Sequence, residues 1–240
     1  MRFYLAVVAS VLAGCTTLTP LADIGQAQVV LLGEQHDADS HRRLQERWVA
    51  SLAARGTLVA LALEMAERGV STAGLPRNAG EPEVQQALHW QVQAWPWDRY
   101  RPAVMAAVRA GVPVLGANLP RAQMREAMRD GTLDRLLPGP ALKAQQQAIR
   151  LGHCELLPEH QITPMTRVQI ARDRSMAQVI EAAVVPGKVV LLLAGSGHVQ
   201  ADVGVPQHLP PSLAVRPMVL PPEPDNGKDH CAELRKQISK

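Results

Sequence analysis

Two stretches of the chain read alike, VVLLGEQH at 29–36 and VVLLLAGSGH at 189–198. Each is an unbroken apolar run that ends in Gly-x-x-His. A strand with one face in water alternates polar and apolar residues, so a run without alternation suits a strand covered on both faces, the usual condition in a parallel sheet. In open α/β sheets ligands bind at the carboxyl ends of the strands. Two such strands deliver His36 and His198 to one rim, which is the first candidate site.

The rest of the chain alternates in the same sense. TLVALAL at 57–63 is a further apolar run that ends at Glu64, and PVLGANL at 113–119 carries Asn118 near its end. Between the first two runs, Leu44, Trp48 and Leu52 recur at helical spacing, with Asp39 or Ser40 to cap the start and Gly56 to end the helix. Further helices are expected over about 99–110 and 164–184, the latter stopped by Pro186 and Gly187. SLAVRPMVL at 212–220 offers a last strand, which Pro217 restricts to a sheet edge. The expected fold is α/β, a mostly parallel sheet flanked by helices. Two Gly/Pro-punctuated passages, 66–98 and 121–160, are expected to form an inserted helical lid on a single domain spanning 28–220, and the tail 221–240 to wrap the surface.

The amino terminus has a basic start at Arg2 and an apolar stretch from Phe3 to Leu12, too short to span a bilayer. It closes on Leu-Ala-Gly-Cys, which resembles a bacterial lipoprotein signal. Residues 1–15 are therefore expected to be a signal peptide with Cys15 lipidated, and 16–27 a tether. Thr16 rather than Asp after the cysteine points to the outer membrane, with the domain facing the periplasm. In that compartment Cys154 and Cys231 are expected to pair. The net charge of +3 arises from 25 basic and 22 acidic residues spread along the chain. No basic stripe with interleaved aromatics exists, so nucleic acid is not an expected partner.

The expected rim gathers Glu34, His36, Asp37, Glu64, Asn118 and His198. Imidazole and carboxylate in this combination can hold a divalent metal that activates water, with Glu34, His36, Glu64 and His198 as ligands, or serve as a metal-free acid and base pair. The metal-bound use makes an enzyme, a metal-dependent hydrolase, as the alternative to a non-catalytic binding protein. The turn Gly195-Ser196-Gly197 is not a nucleophile elbow, because Ala194 stands where the first glycine belongs. Phosphate-loop, Cys-x-x-Cys and His-Glu-x-x-His motifs are absent.

Aromatic residues mark a second region. The chain has four Trp, two Tyr and one Phe, and Trp90, Trp95, Trp97 and Tyr100 lie close together. With Arg99 and Arg101 beside them they suit a planar anionic ligand such as a porphyrin, its face stacked and its carboxylates paired.

Taken together, LLGEQHD at 31–37, LALEM at 61–65, the W-x-x-YRP run at 97–102, PVLGANLPR at 113–121, QIARDRSMA at 169–177 and GSGH at 195–198 resemble the ChaN family of haem-binding uptake lipoproteins, within the wider Tiki and TraB grouping. The resemblance implies an α/β core with a helical lid and a role in haem and iron uptake, with a homodimer that shelters haem between its subunits. It implies haem as the cofactor, held by Tyr100, Arg101, Trp97, His36 and His198, with Tyr100 as a candidate iron ligand beside His36, His89 and His153. The wider grouping also includes proteins described as metal-dependent peptidases, whose pattern Glu34, His36, Glu64 and His198 match.

Overall fold

The computed structural model describes residues 23–223 and 229–238. The expected signal segment 1–15 with Cys15, and residues 16–22 of the tether, lie outside the described residues. Five strands, β1 (Val29–Glu34), β2 (Leu58–Glu67), β3 (Val114–Asn118), β4 (Val189–Gly195) and β5 (Val215–Val219), form one parallel sheet in the order β3-β2-β4-β1-β5. The two look-alike runs are neighbours. β1 and β4 pair in register from Val29 with Val190 to Glu34 with Gly195, and every residue of both is buried. β5 is the edge strand beside β1, where Pro217 lies opposite Leu31.

Among the described residues seven α-helices accompany the sheet: α1 (Asp39–Ala54), α2 (Glu81–Ala87), α3 (Trp97–Ala110), α4 (Met124–Arg129), α5 (Gly139–Gly152), α6 (Glu159–Ala183) and α7 (His230–Ile238). The strand period of two sorts the apolar runs between two cores. Val30, Leu32, Leu61 and Leu63 face α1 and α3, meeting Trp48, Leu52, Tyr100 and Val104. Val29, Leu31, Ala62 and Leu192 face α6, meeting Met176 and Ile180. Each fully buried Leu or Val contributes about 1.5–3 kcal/mol of transfer free energy, so these faces hold the sheet's position firmly.

The passage at 66–98 is tied to the α1/α3 core. β2 runs on to Glu67, and Ala79, Val84, Leu88, Trp90 and Trp97 join the α1/α3 core. Its apolar residues are too sparse to show periodicity, yet most of the large ones are packed in the core, with Val70, Leu75 and Trp95 against its margin and Val92 left exposed. The passage at 121–160 builds a smaller lobe in which Leu119, Ala127, Leu133 and Leu137 pack on Val168 and Ile170 of α6. A two-pronged Arg167–Asp134 pair at 2.9 and 2.7 Å ties it down. α6 begins at Glu159, earlier than expected, because Pro164 early in a helix removes a single backbone bond and need not start it. Cys154, just past α5, is bonded to Cys231 in α7, with Cα atoms 5.5 Å apart. The bridge spans 77 residues, which by loop-closure reasoning stabilises the fold by about 4 kcal/mol.

Candidate functional site

The strand ends meet as expected, and they form two halves. In the first, β1 delivers Glu34, which is 2% exposed. Its Oε1 accepts from the Tyr100 hydroxyl of α3 at 2.7 Å and lies 2.7 Å from His36 Nδ1, while Oε2 accepts from Gln45 Nε2 of α1. The turn at 35–38 then lifts His36 toward solvent, leaving its side chain 40% exposed. Its ring stands edge-on to Trp95 at 4.9 Å between centroids, and its Nε2 lies 3.7 Å from Glu64 Oε2. Burial works against the charged imidazole, but the hydrogen bond it donates to Glu34 and the charges of Glu64 and Glu34 outweigh it and raise His36 above the ordinary histidine value.

Tyr100 lies beneath this half, not on it. The residue is fully buried, and burial first, then the charge of Glu34, pushes the phenol well above its usual range. Its hydroxyl donates to Glu34, so Tyr100 is engaged beneath the rim. Trp97 donates from Nε1 to Glu81 Oε2 at 2.8 Å, and Arg101 Nη1 lies 3.7 Å from both Glu81 and Asp98. Both are engaged at the far end of the aromatic cluster rather than at the rim.

The second half is sealed. Glu64 of β2 accepts from the Gly195 N–H at 2.7 Å and from Arg172 Nη2 of α6, and its Oε1 lies 3.4 Å from His198 Nε2. His198 Nδ1 lies 2.5 Å from Asp173 Oδ1. Arg172 Nε donates to Asn118 Oδ1 at 3.0 Å, and Asn118 Nδ2 donates to the Glu64 carbonyl at 2.8 Å. Burial disfavours the His198 cation, but Glu64 and Asp173 outweigh it and push its pKa up to about 9. Burial likewise opposes the Glu64 anion and is overcome by His198, Arg172 and His36, which hold its carboxyl well below the usual range. Burial raises Asp173 despite the pull of His198. The result is a buried lattice of alternating charge.

These contacts decide the metal question on chemical grounds. Tyr100 and Gln45 occupy the Glu34 oxygens, Arg172 and Gly195 those of Glu64, and both His198 nitrogens face carboxylates. Among the described residues no group of three or more His, Cys, Asp and Glu side chains is placed to hold a metal ion. Glu34, His36, Glu64 and His198 converge, but the expected divalent site is not supported.

Residues 21–209 match the model of a family described as haem-binding uptake, Tiki superfamily, ChaN. The chain belongs to that family. Among solved structures, ChaN of Campylobacter jejuni, described with cofacial haem binding, is similar at a TM-score of 0.69 and 26% identity over 85% of each chain. RRSP, a MARTX toxin effector domain from Vibrio vulnificus, matches with a TM-score of 0.45 and 12% identity over 81% of this chain and 33% of that one. The type III effector HopBA1 matches at 0.41 and 20% over 71% and 67%. No curated protein matches the sequence.

In this ChaN-family chain, site inference from strand ends missed Gln45, Arg172 and Asp173, and also Gln169, whose side-chain amide lies 3.1 Å from His198 Nδ1. The signal for the last three was present. Gln169, Arg172 and Asp173 fall at helical spacing within the buried stretch of α6 that also carries Ile170, Ala171 and Met176, where polar side chains need buried partners. Asp37 was expected at the rim and instead lies exposed, accepting from Gln35 Nε2 at 2.9 Å.

Proposed function

We propose that this ChaN-family protein binds haem at the open half of the rim, as a periplasm-facing lipoprotein anchored in the outer membrane through Cys15, and takes part in haem and iron uptake. The observation that carries the reading is His36. It is the half-exposed imidazole of the rim, and its Nδ1 is oriented by a buried carboxylate, the arrangement that leaves Nε2 to a Lewis acid. Trp95 beside it and Val92, which is 51% exposed, supply apolar surface for a macrocycle. Arg99 completes the set: its Nη1 is buried without a hydrogen-bond partner and its Nη2 lies 3.6 Å from Asp39, so it can receive a propionate. Of the two arginines expected to pair with carboxylates, Arg99 is the one set beside the rim in this reading. Bound haem supplies an iron Lewis acid and a planar dianion, and the residues of this chain orient it. An open half with one imidazole suits a homodimer in which a second subunit covers the other side of the haem.

The competing hydrolase reading needs Glu34, His36, Glu64 and His198 free to bind metal or move protons. Their carboxylates are saturated by protein donors, and His198 is held as a cation between two acids, which suits a structural pin better than a general base.

Haemin titration of the soluble mature protein, followed by absorbance, tests the proposal. A Soret band distinct from free haemin is expected, lost or shifted in His36→Ala and retained in Tyr100→Phe. A wild-type spectrum identical to free haemin would sink the reading. In cells, Cys15→Ala is expected to move the protein from the membrane to the soluble fraction.

A further inference from the structure

The turn that presents His36 is held from outside the family match, which ends at residue 209. Beyond β5 the chain crosses the rim. Leu220 N donates to the Gly33 carbonyl of β1 at 2.8 Å, and the Leu220 side chain is buried in the α1/α3 core. Next, the Pro221 carbonyl lies 2.8 Å from Nε2 of His41, and Glu223 Oε1 accepts from Ser40 N at 2.5 Å. The second contact fills a gap, because α1 has no side-chain cap of its own at Ala38. A carboxylate there meets free N–H groups and the positive end of the helix dipole.

His41 links this strap to the site. The residue is 1% exposed, and its Nδ1 lies 3.0 Å from the backbone nitrogen of Gln35, the residue before His36. A backbone N–H can only donate, so Nδ1 accepts and carries no proton. Nε2 therefore bears the hydrogen and donates to the Pro221 carbonyl. His41 is fixed as one neutral tautomer, accepting from the turn and donating to the strap.

We infer that His41 is a positioning residue for the haem site, setting the His36 turn by tying the Gln35 amide to the carboxyl-terminal strap at 220–223. The partner it requires is a segment of this same chain that lies beyond the residues matched to the family. The inference rests on the proposal that haem binds at His36.

Two substitutions separate the two contacts of His41. In His41→Asn the side-chain oxygen can occupy the place of Nδ1 and accept from Gln35. In His41→Gln the side-chain amide reaches the place of Nε2, keeps the strap contact and leaves the Gln35 N–H without its acceptor. Amide hydrogen exchange at Gln35 in the ligand-free protein is expected to speed up about 10-fold in His41→Gln, the equivalent of one lost hydrogen bond, with His41→Asn restoring most of the protection. Glu223→Ala, outside the core, is expected to raise exchange about 3-fold by loosening the strap. In haemin titrations the Soret band should shift in His41→Gln and return toward the wild-type position in His41→Asn. Equal Gln35 protection in wild type, His41→Gln and Glu223→Ala overturns the inference. If wild-type protein shows no distinct Soret band the haem proposal falls, while the exchange comparison still decides whether His41 holds the turn.

Discussion

The two halves of the rim are built from the same residue types and end with opposite exposure. Each joins a carboxylate 2% exposed to the histidine of a Gly-x-x-His ending, yet the His36 side chain is 40% exposed and that of His198 is 5%. The difference lies in the segment that leaves each strand. After β1 the chain makes one open turn into α1. After β4 a tight turn at Ser196–Val199 folds back over β1 and presses His198 onto α6, where Asp173 and Arg172 meet it and Glu64. The same motif is thus a presented imidazole in one place and a buried pin in the other, and the deciding factor is the path of the segment that leaves the strand, which carries His198 onto the polar partners of α6.

The largest effect expected from this contrast is on stability. Glu64→Gln removes one charge from the sealed lattice and leaves Arg172 and His198 without their shared anion. Breaking a buried pair in this way costs about 3–5 kcal/mol. The urea midpoint should fall accordingly, with Tm lower by roughly 10 °C. A loss below about 1 kcal/mol, the range of exposed pairs, would mean that the second half is not a charge lattice at all.

The same lattice sets a pH dependence. His198 has a folded pKa of about 9, against about 6.5 for an unfolded histidine. A group raised on folding contributes fully below its unfolded pKa and loses that contribution as pH rises through the folded one. The urea midpoint is therefore expected to fall across alkaline pH up to and beyond 9. His198→Gln should be less stable at neutral pH but show a shallower alkaline slope. An unchanged slope would assign the alkaline loss to other groups.

Two glycines on the paired strands sharpen the comparison further. A Cβ on Gly33 would lie 2.3 Å from Val199 Cγ2 and 3.0 Å from the Ser196 backbone, in the turn that seals the second half. Gly33→Ala should cost about 2 kcal/mol as an overpacked site. A Cβ on Gly195 would meet His36 Nε2 at 2.8 Å, a side chain free to swing toward solvent. Gly195→Ala should cost about 1 kcal/mol and register instead as a shifted haemin spectrum. Equal stability losses would show that the His36 turn is as rigid as the sealed side.

Much of this was legible in the sequence, and the omissions share a cause. The apolar runs, alternating with helical patterns, announced the parallel sheet and its rim, and Pro217 marked the edge strand. The strand ends announced Glu34, His36, Glu64 and His198. What strand ends cannot reveal is which polar groups the covering helices supply. Asp173 and Arg172 turn His198 into a pin, Tyr100 and Gln45 saturate Glu34, and each comes from a helix whose rotation is set by packing. Tyr100 drew attention as an aromatic in a matching motif. Its position among Ala103, Val104 and Ala107 on the buried stripe of α3 was the signal that it faces inward. In the passage at 66–98 the core contacts are scattered singly among loops, so they leave no periodicity to read.

The smallest stability effect should come from the residue with the largest effect on ligand. In His36→Ala, Glu34 keeps the Tyr100 hydroxyl and the Gln45 amide, so the buried carboxylate remains hydrogen-bonded. The pair removed is more than one-third exposed on the histidine side, and solvent screening limits its worth to at most about 1 kcal/mol. The urea midpoint should barely move, while the Soret band of bound haemin is lost or displaced. Stability and binding are then uncoupled at His36 and coupled at Glu64, as expected if one half presents a ligand and the other holds the sheet ends together. If His36→Ala instead destabilised the fold as much as Glu64→Gln, His36 would be a second pin. The open half would then owe its exposure to a shallow surface rather than to a site.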